Sequence, residues 1–346
     1  MKLNILKILT VVTILTSVYA ADIPIEADYA KQYKLNTALQ TAVKNGDVEE
    51  AKKMLIEGAD INFQSGYHSM LHLAVWSSQQ GTEMFDLILN GIPCQSIAGI
   101  RDPNNTDRDD AAPAFYHAVG KVDVVRCFLE YSIAHPGCLD LNKGDCLGYT
   151  PFNNACEMGA ADTMRLFFDF DEQHPGILNI AAKSTAFGRT VLYACCTTSR
   201  FQYANKAQCV LATFVLLRDW ITKHPGRIDV NAKSHDYRSP EKELDSAFCA
   251  AVRTAIGKES DIYLPIVNEL LDWNRASSLF NQDDITSGYL LAINAQHDAV
   301  VDLFIRYGNF INQESLNDMQ STYYQSRLGL VDNISHSGGY PAGLSA

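Results

Sequence analysis

The sequence is short of positive charge. Lys and Arg total 28 against 40 Asp and Glu, a formal net charge of −12. No run of basic residues offsets this balance, which argues against a nucleic-acid partner, since phosphate backbones are held by clustered Lys and Arg. The nine cysteines contain no Cys-x-x-Cys pair, so zinc-ribbon and thioredoxin-type readings fail. There is no His-Glu-x-x-His, Gly-x-Ser-x-Gly, phosphate loop or dinucleotide fingerprint. Beyond the first twenty residues no stretch is apolar enough to span a membrane. What is present is core-forming material: 47% of the 346 residues are hydrophobic, which excludes global disorder.

The N-terminus reads MKLNILKILTVVTILTSVYA. Lys2 and Lys7 precede an apolar stretch from Ile8 to about Leu15, and Val18 and Ala20 occupy the −3 and −1 places of a small-residue cleavage site. This is the pattern of a secretory signal peptide over residues 1–20, with cleavage after Ala20. The apolar run is shorter than the roughly 20 residues of a spanning helix. Export, to the periplasm or beyond it, is therefore expected, with no stable membrane insertion after cleavage. An odd cysteine count in an exported chain leaves at least one thiol outside any internal bridge. Cys138 and Cys146 flank a short polar stretch and are the candidate local disulfide. Others lie in apolar runs and read as small core residues.

The clearest internal unit is TALQTAVKNGDVEEAKKMLIEGADIN, residues 37–62. Leu39, Ala42 and Val43 make one short apolar face, and Val48, Ala51, Met54 and Leu55 make a second. Asn-Gly-Asp breaks the chain between them, and Gly58 closes the second helix. Related stretches recur as SMLHLA (69–74), PAFYHA (113–118), GYTPFNNACEMGAADTMRLFF (148–168), GRTVLYAC (188–195), SAFCAA (246–251) and AINAQHDAVVDLFIRYGNFIN (292–312). Three longer joints also repeat: HPGCLDLNKGD from His135, HPGILNIAAKS from His174 and HPGRIDVNAKS from His224. Pro cannot continue a helix, and Gly supplies the reversal. The three histidines thus read as one recurring joint rather than as a shared metal site.

These motifs resemble the ankyrin repeat, whose signature is T-P-L-H-x-A. Its Leu position falls on Leu39, Leu71, Phe115, Phe152, Leu192, Phe248 and Tyr289, so about seven divergent repeats are expected over residues 35–312. Their spacing is irregular beside the usual period of about 33. Residues 21–34 form a lead-in, and the Gly- and Ser-rich stretch 313–346 reads as a disordered polar tail. The resemblance implies an all-α ankyrin-repeat solenoid of stacked helix–turn–helix units with projecting hairpin loops. It also implies that His72 bonds the backbone of a neighbouring turn.

The function implied by the resemblance is protein–protein interaction through the concave face and hairpin tips, with no catalysis and no cofactor or metal. Phe63, Tyr67, Tyr149, Phe187 and Tyr237 are the candidate partner contacts, read as exposed aromatics on those loops. The acidic balance points to a partner with a basic surface. Asp102–Asp110 lacks the order of a calcium loop and reads as a solvated loop. Asn104 and Asn333 fit the glycan acceptor pattern. Divergent exported ankyrin arrays resemble secreted effectors of host-associated bacteria. The alternatives are a periplasmic protein with an envelope partner, and an enzyme carried on a helical scaffold.

Overall fold

Apolar residues at helical spacing, cut by Gly, Pro and Asn, fold here into helix pairs. The computed structural model describes residues 23–64, 68–77, 81–91, 112–197, 206–236, 239–257 and 260–307. The segment 1–20 with Ala20, the stretch 102–110 with Asn104, Tyr67, Tyr237, Asn333 and the tail 313–346 lie outside the described residues.

Seven helix pairs follow one another: α1 (Ile23–Asn45) with α2 (Val48–Ile56), α3 (Met70–Ser77) with α4 (Glu83–Asn90), and α5 (Ala114–Ala118) with α6 (Val122–Ala134). Then come α7 (Pro151–Met158) with α8 (Ala161–Gln173), α9 (Val191–Cys195) with α10 (Lys206–Lys223), α11 (Ala247–Ala255) with α12 (Ser260–Ser277), and α13 (Gln282–Asn294) with α14 (Asp298–Arg306). A two-stranded antiparallel hairpin, β1 (Lys233–Asp236) and β2 (Ser239–Ser246), precedes α11. The chain divides into two compact units, Met1–Cys146 and Leu147–Ala346. Within each, first helices pack on first helices and second on second: α1 on α3, α3 on α5 and α2 on α4 in one unit; α7 on α9, α9 on α11, α11 on α13, and α8 on α10, α10 on α12, α12 on α14 in the other. Stacking of this kind buries faces that no single pair could cover.

The residues assigned to the signature Leu position are all core. Leu39, Phe115, Leu192, Phe248 and Tyr289 are fully buried, and Leu71 and Phe152 nearly so. Among the described residues no helix is long and apolar enough to cross a membrane.

The three His-Pro-Gly joints share one geometry. His135, His174 and His224 each end a second helix, and each backbone N–H donates to the carbonyl four residues back, at 2.9, 2.8 and 3.0 Å. Each imidazole lies against the aromatic ring at that same place, Tyr131 at 4.4 Å, Phe170 at 4.9 Å and Trp220 at 4.5 Å. The glycine then takes a positive φ of 82° to 87°. Two aliphatic residues follow in alternation and are buried: Leu139 and Leu141, Leu178 and Ile180, Ile228 and Val230. The first joint, at Gly58, does the same work without His-Pro. There Gln32 Nε2 donates to the Gly58 carbonyl at 2.9 Å, and the Asp60 N–H donates to Asn36 Oδ1 at 2.8 Å. At Asn62, Asn142 and Asn231 the backbone N–H donates to the aspartate two residues earlier, at 2.9, 2.9 and 3.1 Å, a bond that depends on the aspartate side chain.

The same alternation disposes of Cys138. Burying Leu139 and Leu141 turns Cys138 and Asp140 outward. Cys138 and Cys146, expected as a local pair, are both exposed.

Candidate functional site

A hydroxyl starts several of the first helices. Thr150 Oγ1 accepts from the Asn153 N–H and Thr190 Oγ1 from the Tyr193 N–H, each at 3.2 Å, and Ser246 Oγ accepts from the Cys249 N–H at 3.4 Å. Such side chains satisfy donors that the helix cannot. Ser69 Oγ stands in the same place before α3, 3.4 Å from the His72 N–H. The residue just before each hydroxyl is therefore held at one repeated position, where the incoming finger loop meets the first helix. In the second unit that position holds the row Tyr149, Arg189 and Asp245; in the first it holds His68.

In the second unit the fingers are braced against one another. The Ala186 N–H donates to the Leu147 carbonyl at 3.0 Å, and the His235 N–H donates to the Phe187 carbonyl at 2.9 Å. Thr185 lies so close to Gly148 that an added Cβ would stand 2.3 Å from its Oγ1. The Ser184 and Arg189 main chains close the finger, with the Ser184 N–H on the Arg189 carbonyl at 2.9 Å. Two candidate contacts meet here. The Phe187 and Tyr149 rings are 6.4 Å apart. Phe187 is half-buried. Tyr149, expected as an exposed aromatic, is only 4% exposed. It stands beneath the neighbouring finger, and its hydroxyl accepts from Arg189 Nη1 at 2.8 Å. The correction follows from the bracing: what the sequence presents as a loop tip is covered by the next loop.

Arg189 ties the cluster together. Its guanidinium lies 4.5 Å from the Phe187 ring centroid and 4.9 Å from that of Tyr193. Tyr193 lies in the first turn of α9, and Arg189 stands just before the Thr190 cap of that helix. One position further along the row, Asp245 is met by Arg253 at 2.8 Å.

The first unit fills the equivalent face differently. His68 lies edge-on to Trp76 at 4.4 Å, and His117 stands 5.8 Å from Trp76 and 5.6 Å from His72. Trp76 remains 38% exposed. His72 is fully buried. Its Nε2 lies 3.1 Å from the Ala112 carbonyl and its Nδ1 2.7 Å from Ser69 Oγ. A carbonyl only accepts, so Nε2 carries the proton and Nδ1 accepts from the serine. His72 thus bonds the backbone leading into the next repeat. Lys121 Nζ donates to the carbonyls of Val75 and Trp76, the latter at 3.0 Å, and burial lowers its pKa. Phe63 is half-buried and sits edge-on to Tyr33 at 5.7 Å. The site residues missed in the sequence are Trp76, His68, His117, Arg189 and Tyr193.

Among the described residues no group of three His, Cys, Asp or Glu side chains is placed to hold a metal ion.

Residues 34–65 match the sequence model of the ankyrin-repeat family. The structure is similar to that of the ankyrin repeat domain of Bcl-3, described as a unique member of the IkappaB protein family, with a TM-score of 0.51 at 20% identity. The match covers 77% of this chain and 97% of that one, and at this identity the likeness concerns the fold. No protein of curated function matches the chain in sequence. The helix pairs, the braced fingers and both matches identify an ankyrin-repeat fold.

Proposed function

We propose that the chain is an exported scaffold that binds a protein partner through its finger tips and the exposed face of its first helices. Ankyrin repeats mediate protein–protein interaction, and the fold supports that much directly. The observation that carries the reading is Phe187 in the second unit, partly exposed and held by hydrogen-bonded fingers beside Tyr149 and Arg189. In the first unit, by itself, partly exposed Trp76 is held by the rings of His68 and His117. Rigid aromatics bury large area on binding at low entropic cost. Export is supported by the N-terminal sequence, and action on a host by the resemblance to exported ankyrin arrays. No catalytic role is proposed.

Two measurements test this. Mass spectrometry of the mature N-terminus should find cleavage after Ala20; an intact Met1 sinks export. Affinity capture from host lysate and from bacterial envelope, run with the native chain beside Trp76→Ala and Phe187→Ala, should give a partner from the host arm that both variants capture less. A partner from the envelope arm instead selects the periplasmic reading. A partner captured equally by all three chains removes this face from the function.

A further inference from the structure

Arg189 differs from four other described arginines of its unit. Arg165, Arg218 and Arg253 meet carboxylates of the chain at 2.8 Å, and Arg227 does so at 2.6 Å. Arg189 meets a phenol and two ring faces. A guanidinium carries five N–H donors in one plane. The chain engages one nitrogen, Nη1, with the Tyr149 hydroxyl. Nε is sealed from solvent and meets no acceptor among the described residues. The residue as a whole is half-buried rather than buried.

The surroundings select what can complete it. Phe187 and Tyr193 both place a ring against the guanidinium, and its N–H bonds point along its plane, where a further acceptor bonds. A planar carboxylate matches that fork in a way a neutral carbonyl does not, and charge-assisted bonds are about twice as strong as neutral ones. The arginine is also held in place before any partner arrives. The finger carrying Phe187 is bonded on one side to Leu147 and on the other to His235. Little further ordering is therefore needed on binding.

On these grounds we infer that Arg189 is a preorganised anchor for an acidic side chain, Asp or Glu, on an extended segment of the protein partner, lying along the row from Tyr149 to Asp245. The inference rests on the binding role proposed above and adds the chemistry of the occupant. It also reverses the local sign. The chain is acidic overall, yet this position asks for a carboxylate opposite Arg189, while Asp245, one repeat on, already holds its own arginine.

The test is selection of a displayed random peptide library on the full-length protein. Recovered peptides should share an Asp or Glu at one position. Exchange of that residue for its amide should weaken binding to the native chain by about tenfold or more, and hardly change binding to Arg189→Gln. Arg189→Glu should accept the same peptide with Lys in that place. The peptide-side exchange needs no protein variant, so it decides the matter even if the arginine variants fold poorly. Peptides that bind without any acidic residue, or equally to native and Arg189→Gln chains, overturn the anchor and leave the binding face standing. Recovery of no peptide by the native chain overturns both.

Discussion

The two ends of a repeat use glycine in different ways. At the joints, Gly58, Gly137, Gly176 and Gly226 adopt positive φ, yet an added Cβ would meet nothing within 4 Å. At the fingers, Gly148 and Gly188 adopt positive φ and also lie against a neighbour. A Cβ on Gly148 would stand 2.6 Å from the Thr185 backbone nitrogen, and one on Gly188 would stand 2.5 Å from the His235 ring. The joints thus need a conformation, and the fingers need a conformation and a close approach. The three His-Pro-Gly joints nonetheless keep one length, and added length appears in a finger instead: the one before α11 carries the β1–β2 hairpin and is longer than those before α7 and α9. The fingers carry the candidate site.

Substitutions can break this contrast. The largest effect is expected at Gly148→Ala, which combines backbone strain with a clash against main chain, about 3 kcal/mol of lost stability by thermal or urea unfolding. Arg227→Ala comes next. It strips the partner from Asp171, which is 2% exposed, and should cost about 2 kcal/mol; the half-exposed arginine keeps this below the fully buried case. Gly226→Ala should cost about 1 kcal/mol, from φ alone. A loss at Gly226 equal to that at Gly148 would erase the distinction between the two ends.

Asp284→Asn sharpens the finger side with the opposite sign. Burial pushes the Asp284 carboxyl above its ordinary value of 3.8, with the Ser246 hydroxyl pulling it partly back. Oδ2 is buried without a partner among the described residues. The folded chain therefore keeps this proton to a higher pH than the unfolded chain. Stability falls as pH rises from 3.8 through the raised value, and the penalty is complete above it. The variant should gain about 1 kcal/mol at neutral pH and lose that slope. Unchanged stability at neutral pH would refute the account.

The smallest perturbation is chemical. Without reductant, native alkylation near pH 8 should label exposed Cys138 and Cys146, beside a joint. It should spare Cys156, Cys195 and Cys196 in the core under the fingers. Burial holds the Cys195 and Cys196 thiols well above their ordinary range, and lifts Cys127 to about 12. Protection of both Cys138 and Cys146 that reductant removes would instead show them bridged to each other.

Much of this architecture is legible in the chain. The signature position alone picked seven core residues, because burial there depends on local helix pattern. The His-Pro-Gly joints were legible as punctuation for the same reason: each is closed by a residue four places back and a turn that follows. The site was less legible. Tyr149 was placed on the surface because the covering finger lies some forty residues further on. Arg189 went unnoticed because its meaning comes from Tyr149, its counterpart one repeat earlier, and not from its own neighbours. Local rules reach one repeat; the face belongs to two.

The Arg227–Asp171 pair has a mechanical consequence. Arg227 follows the joint after α10, whereas Asp171 sits near the end of α8, so the pair fastens two successive repeats. Its guanidinium also lies 4.9 Å from the Trp220 ring centroid. Repeats that touch only their neighbours come away one by one under load. Arg218 on α10 ties the next repeat in the same way through Glu269 on α12, so a chain drawn from its C-terminal end would meet clasps at which neighbouring repeats resist together and part in larger steps.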